Sequence, residues 1–292
     1  HEGKKKCSKR QTHLRANLFA SIADSYVYDN YKAYGLAMQT HMHIDSVLTG
    51  LYGQIYAPIL FVHDRFVQRP SWQIYKVRNS VVAAIADVHF LMGYDAVRRK
   101  SFGISGYLFG IIPTAQHSLF HHGAQNNSIG SDNRVVWGCG SDWFVRICGS
   151  PRHHLDWLTQ ADIRFYEGRK GVAIISRFDP YEWKETPIHE HIFQMYHVTS
   201  GLVYKFKHFL TDFGVQFFYR PTQKYSFLDT TLTNIKKLKE GPFERWDAFL
   251  DLGWTGRLFK RPAYVMLGIQ TTVAGVNIYR TSVGILKCGF DF

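Results

Sequence analysis

The 292-residue sequence predicts an all-β fold: a closed antiparallel transmembrane β-barrel of about 12 strands, with short turns at one end and long loops at the other. Three observations predict it. Apolar residues recur with a period of two over segments of about 9–15 residues, whereas helical spacing matches poorly. Trp246 and Trp254 stand on one face of such a segment, separated by roughly 26 Å at ~3.3 Å per residue. That is the height of a barrel's apolar band with an aromatic at each edge. The gaps between segments run about 11, 2, 24, 5, 22, 7, 30, 2, 26, 6 and 8 residues, so short and long connections alternate. A soluble sandwich shares the period but has strands of about 5–6 residues and no reason for one-sided connections.

The elements follow in order. The first segment sets Leu14, Ala16, Leu18, Ala20 and Ile22 against Arg15, Asn17 and Ser21. The second, Tyr34 to Ile44, closes on Asp45-Ser46 as a two-residue hairpin and leads into the third, Val47 to Ala57. The fourth, Val82 to Tyr94, opposes Phe90 and Met92 to Asp87, His89 and Asp95, then turns through 97–101. Phe102 to Ile112 is the fifth. The sixth, Val135 to Ile147, carries Trp137, Cys139 and Trp143 opposite Arg134, Asp142 and Arg146. Leu155 to Phe165, Tyr196 to Phe206 and Phe209 to Tyr219 follow, the last two joined by Lys207-His208. The tenth puts Trp246, Ala248, Leu250, Leu252 and Trp254 on one face and Asp247, Phe249, Asp251 and Gly253 on the other. Val265 to Val273 and Ser282 to Phe292 complete an even number of strands, as closure demands. Long loops are expected at 58–81, 113–134, 166–195 and 220–245, within a barrel spanning 13–292 that follows a basic tail, 1–12.

Composition narrows the alternatives. Apolar residues at 46% and aromatics at 16% exclude a disordered chain, and four cysteines exclude a disulfide-stapled scaffold. No apolar run reaches the ~18 residues of a membrane helix. No hydrophobic signal core follows the basic run Lys4-Lys5-Lys6-Cys7-Ser8-Lys9-Arg10, and an opening on His1 fits a processed, exported protein and, equally, a sequence that starts part-way along a longer chain. Phosphate loops, paired metal-binding cysteines and nucleophile elbows are absent from the sequence, so no cofactor is expected. The basic tail is more simply a solvated or lipid-facing segment than a nucleic-acid reader.

At the C-terminus Leu286, Cys288, Phe290 and Phe292 alternate. This resembles the terminal strand of bacterial outer-membrane β-barrels, which ends in Phe and is read by the barrel-assembly machinery. Val283 and Ile285 depart from that pattern by falling on the other face. The resemblance is to a porin-like architecture over the whole chain. It implies an outer-membrane location, a cleaved signal peptide, periplasmic short turns and external long loops. Outer-membrane lipid, the assembly machinery, small solutes and further copies of the chain are then the partners to expect. Twelve-stranded members include narrow channels, autotransporter domains and a phospholipase. The phospholipase-type site needs His-x-Ser with a nearby Asn, and neither His117-Ser118 nor His197-Val198-Thr199-Ser200 has that spacing, so no enzyme is expected. An autotransporter's lumen helix does not fit residues 1–12, which are too short and too basic. The expected function is a porin-like channel for small solutes. The alternatives are a structural barrel with a blocked lumen and a soluble β-barrel holding a small apolar ligand.

The inner face carries the chemistry. Asp87, Asp142, Arg146, Asp162, Arg164, Lys205, Lys207 and Asp251 alternate with lipid-facing residues and are expected to line the lumen. Mixed signs there either pair with each other or select charged solutes. With 35 Lys+Arg against 23 Asp+Glu, the formal charge of +12 tilts the expectation towards anions. Trp246 and Trp254 are expected in the aromatic girdle, and Phe290 and Phe292 in the assembly signal. His41, His43 and Asp45 share a strand face and could hold a transition metal, or form a polar ladder beside a turn. Cys139 and Cys288 fall on the lipid face. Cys7 and Cys148 fall on the periplasmic side, where a disulfide and two free thiols are both open.

Overall fold

The computed structural model describes residues 12–24, 30–44, 47–68, 76–85, 87–114, 134–150, 153–176, 183–227, 237–258, 260–276 and 280–291. These residues form strands and no helix. In chain order they are β1 (Thr12–Asp24), β2 (Asn30–His43), β3 (Leu51–Gln68), β4 (Lys76–Ile85), β5 (Val88–Arg98) and β6 (Phe102–Ile112). There follow β7 (Val136–Gly149), β8 (His153–Tyr166), β9 (Arg169–Ser176), β10 (Trp183–Glu190), β11 (Phe193–Phe206) and β12 (Phe209–Arg220). The chain ends with β13 (Gln223–Phe227), β14 (Lys237–Glu240), β15 (Phe243–Leu258), β16 (Arg261–Val276) and β17 (Arg280–Asp291).

Thirteen of them make one antiparallel sheet in the order β2-β1-β17-β16-β15-β12-β11-β8-β7-β6-β5-β3-β4, with a further pairing between β2 and β3. In that further ladder Asn30 to His43 run against Arg65 to Tyr52. The first and last strands pair along their length, from His13 opposite Asp291 to Asp24 opposite Arg280. The hairpins after β2, β5, β7, β11 and β15 all fall at one end of the sheet, together with the start of β1 and the end of β17. Lys207-His208 is the two-residue turn the spacing predicts, and Lys207 takes φ +53° to close it.

Two expectations about connections change. The β2–β3 turn is longer than Asp45-Ser46: Ile44 N donates to Leu51 O at 2.8 Å, and Val47, placed in a strand by its alternation, lies in this turn. Gly50 at φ +92° supplies the left-handed residue that returns the chain. The long connections are also less loop than expected. Residues 58–68 extend β3, and β4 pairs back on them. Segments from 166–195 and 220–245 build a second sheet, β14-β13-β10-β9. Each of its strands continues β8, β11, β12 or β15 after a two-residue break, at 167–168, 191–192, 221–222 or 241–242. Strands outside an apolar band need backbone partners but no apolar face, so they lack the period-two signal.

The packing is inverted relative to a soluble protein. Tyr52, Tyr107, Ile111, Val136 and Met266 are the only buried large apolar residues among those described, whereas Asp87, Asp162, Asp247, Asp251, Arg134, Glu190 and His197 are all buried. The exposed side is apolar, with Met92, Leu108, Trp137, Trp143, Leu250, Leu267 and Ile269 on it. A surface of this kind is stable against hydrocarbon where the strand amides are paired in ladders. Cys139 is exposed on that face, and Cys148 is exposed near the β7–β8 hairpin. In a Cys7→Ser background, Cys148 should react with a membrane-impermeant maleimide in permeabilised membranes while Cys139 stays unlabelled until detergent is added. Equal labelling rates would overturn this facing.

Candidate functional site

The buried face surrounds a cavity of about 670 Å³ at the short-turn end, lined by residues from β2, β3, β5–β8, β11, β12 and β15. Its walls are polar and aromatic. Gln39, Gln54, Ser105, Gln160 and Thr199 contribute neutral polar groups, and Asp95, Asp142 and Asp212 contribute carboxylates. Tyr52, Phe144 and Phe249 lie flat on the wall, because glycine occupies the neighbouring strand beneath each. A Cβ at Gly93 would overlap the Tyr52 ring, and one at Gly103 the Phe144 ring. One at Gly214 would reach 2.9 Å from Phe249 Cζ. Rings laid down in this way lie along the wall, and that of Tyr52 is stacked with His41 at 4.9 Å between centroids.

Most other charges of the buried face are neutralised in pairs. Arg146 binds Asp156 through two bonds, of 2.8 and 3.1 Å, near the short turns. Arg164 Nε donates to Asp162 Oδ1 at 2.7 Å, and His197 Nδ1 lies 2.8 Å from Asp162 Oδ2. Lys287 is paired with Asp251, and Arg134 with Glu190. Arg245 stands 3.2 Å from Asp247, which also accepts bonds from Gln270 at 2.8 Å and Thr272 at 2.9 Å. Towards the long connections, arginines rest on aromatic rings: Arg245 4.4 Å from the Phe218 centroid, Arg134 5.2 Å and Arg220 5.8 Å from that of Phe193.

Asp162, His197 and Thr199 form an acid–imidazole–hydroxyl chain, with His197 Nε2 3.0 Å from Thr199 Oγ1. All three sit inside the β8–β11 ladder, where their strand amides are spent on sheet bonds. Nothing there resembles the paired amides that hold an oxyanion, and Asp162 is shared with Arg164. The chain is a polar brace.

Of the eight residues expected to line the lumen, Asp142 alone borders this cavity. Asp87, Asp162 and Asp251 are buried but do not line it, and Arg146 and Arg164 are held by their acids. Lys205 and Lys207 border a separate groove of about 390 Å³ with His208, Arg257 and Tyr264 at the short-turn end. His41 and His43 reach the cavity with their rings 4.9 Å apart, and Asp45 lies outside the described residues. Among the described residues no three His, Cys, Asp or Glu side chains converge as a metal site. Trp246 and Trp254 are exposed at opposite ends of β15, the former donating to Glu244 at 2.9 Å. Phe290 pairs by its backbone with Leu14 and Ala263, whereas Phe292 and Cys7 lie outside the described residues. Alternation sets Phe249 and Asp212 on the inner face but does not show that the rings of Tyr52, Phe144 and Phe249 overlie glycine. A glycine on one strand opposite an inner aromatic on the next would have pointed to the rings, once the register was known.

No protein-family model and no curated protein matches the chain. Solved structures do. An outer membrane channel from Pseudomonas putida superposes with a TM-score of 0.56 at 10% identity, over 97% of this chain and 95% of that one. A deletion mutant of the monoaromatic hydrocarbon channel TodX gives 0.51 at 9% identity, over 97% and 90%. The chain shares the all-β architecture of these two structures. At this identity the likeness carries architecture and nothing about the solute.

Proposed function

We propose that the chain is an outer-membrane channel for passive diffusion of small solutes, built as a closed twelve-stranded barrel. The supporting pairings are those of β1 with β2 and β17, and of β3 with both β2 and β5, which give each of twelve strands two neighbours. In this reading the short turns are periplasmic, the second sheet stands outside the cell, and the inverted packing reflects lipid contact. The observation that carries the function is the 670 Å³ cavity with polar walls in the barrel's interior. A barrel of twelve strands is wider than the eight-stranded kind that side chains alone fill. No residue is assigned a catalytic role.

A second reading, a structural barrel with a blocked lumen, is favoured by the layer of paired arginines and aromatics towards the long connections. Purified protein, shown to be folded by heat-modifiable migration, should produce discrete conductance steps in a planar bilayer. Silence from folded protein would establish the blocked barrel. Release from membranes by salt or alkali without detergent would remove both readings and leave a soluble β-barrel.

A further inference from the structure

We infer that the lumen prefers cations, and that Asp142 and Asp212, facing the flat rings of Tyr52, Phe144 and Phe249, set that preference. The inference rests on the channel reading and adds the solute class. It runs against the chain's net charge of +12, because fixed charge selects solutes where they pass and not where it is averaged over the chain.

Among the described residues, three carboxylates and a single fixed cation, Arg98, line the cavity. Arg98 Nη1 is held 3.3 Å from Asp95 Oδ2, so that pair is compensated. Asp142 and Asp212 form no ion pair among the described residues. Asp142 Oδ1 is buried with no hydrogen-bond donor. Asp142 is opposite Ser105 and Gln160, both neutral. Asp212 is opposite Val203 and Asp251, and the latter is already matched by Lys287. Among the described residues, Arg134, Arg146, Arg164 and Lys287 are paired in the wall, and Lys205, Lys207 and Arg257 border the short-turn groove.

The rings supply a second, independent argument. An aromatic face carries the negative end of the ring quadrupole, and it attracts cations desolvated in a narrow passage. Phe144 and Phe249 overlie glycine-bearing strands at the cavity wall, and Tyr52, over Gly93, is stacked with His41 at 4.9 Å between centroids. Carboxylates and ring faces together suit small cations, organic ammonium ions included.

The test is reversal potential across a planar bilayer in a tenfold KCl gradient, with folded full-length protein. The wild type should pass K⁺ over Cl⁻ by about tenfold near 0.1 M salt, declining towards unity near 1 M as the Debye length shortens to about 3 Å. The isosteric double variant D142N/D212N should bring the ratio close to one, with each single variant between. With tetramethylammonium chloride, F144L/F249L should lower permeability of the organic cation relative to K⁺ severalfold. Anion preference in the wild type, or an unchanged ratio in the folded double variant, would overturn the inference and leave the channel standing. An unchanged tetramethylammonium ratio would remove the rings from it. Absence of any conductance would instead strike the channel reading itself.

Discussion

Arginine in place of Leu250 is expected to cost roughly 2–4 kcal/mol and to leave most of the protein unassembled. Leu250 is 42% exposed on β15, midway between Trp246 and Trp254, about 13 Å from either aromatic edge at ~3.3 Å per residue. Its cross-strand neighbours are Phe213 and Ile269, both exposed and apolar. A guanidinium there has no partner and must stretch the length of its stem towards a headgroup layer. The matched control is Gln216→Arg on the buried face, where polar groups surround the side chain and the loss is a bond with Gln270 of 3.1 Å. Alternation alone would make Gly253 an equally good inner control, but a Cβ there overlaps Met266. Gly253→Arg should therefore fail as well, through packing rather than solvation. Urea unfolding in lipid vesicles ranks the three, and equal losses for Leu250→Arg and Gln216→Arg would show that the facing is wrong.

The same residues show how far the sequence could be read. A strand with lipid on one side must alternate over the full apolar height, so its facing is visible as a one-dimensional pattern, although Val82 to Tyr94, read as one segment, is divided between β4 and β5. Asp247 at 1% exposed and Trp246 beside it at 38% are the clearest instance. Beyond the apolar band that requirement lapses. The extension of β3 to Gln68 and the strands β9, β10, β13 and β14 are held by backbone ladders, one of which even pairs Pro187 with Val172 and Ile188 with Gly171. The site was less legible still, because its chemistry depends on which strands meet. Lys287 neutralises Asp251 from 36 positions away, and Arg146 reaches Asp156 around a hairpin. Counting charges along the chain therefore overstates the cations available to the lumen. The two acids left over emerge only after the pairs are drawn.

Breaking the Lys287–Asp251 pair is the other large effect expected. The two strands that bear it, β17 and β15, flank β16, so the pair spans three strands of the wall. Asp251 has its side chain 3% exposed and Lys287 31%, so the carboxylate depends on the amine far more than the reverse. Lys287→Met leaves a buried carboxylate directly opposite Asp212 in the ladder. Removal of one partner from a buried pair costs about 3–5 kcal/mol, and the partial exposure of Lys287 places this case near the lower end. Asp251→Asn combined with Lys287→Met should recover much of that loss, because no unmatched charge remains. Asp212→Asn should also rescue Lys287→Met in part, since it removes the facing like charge. The second rescue separates electrostatics from packing: Asp212 is on β12, one strand beyond Asp251, and its change to Asn restores no contact with position 287. The unfolding midpoint in vesicles reads all three variants against the wild type. If Lys287→Met matched the wild type, water in the lumen would already be solvating Asp251, and the pair would contribute nothing to the wall.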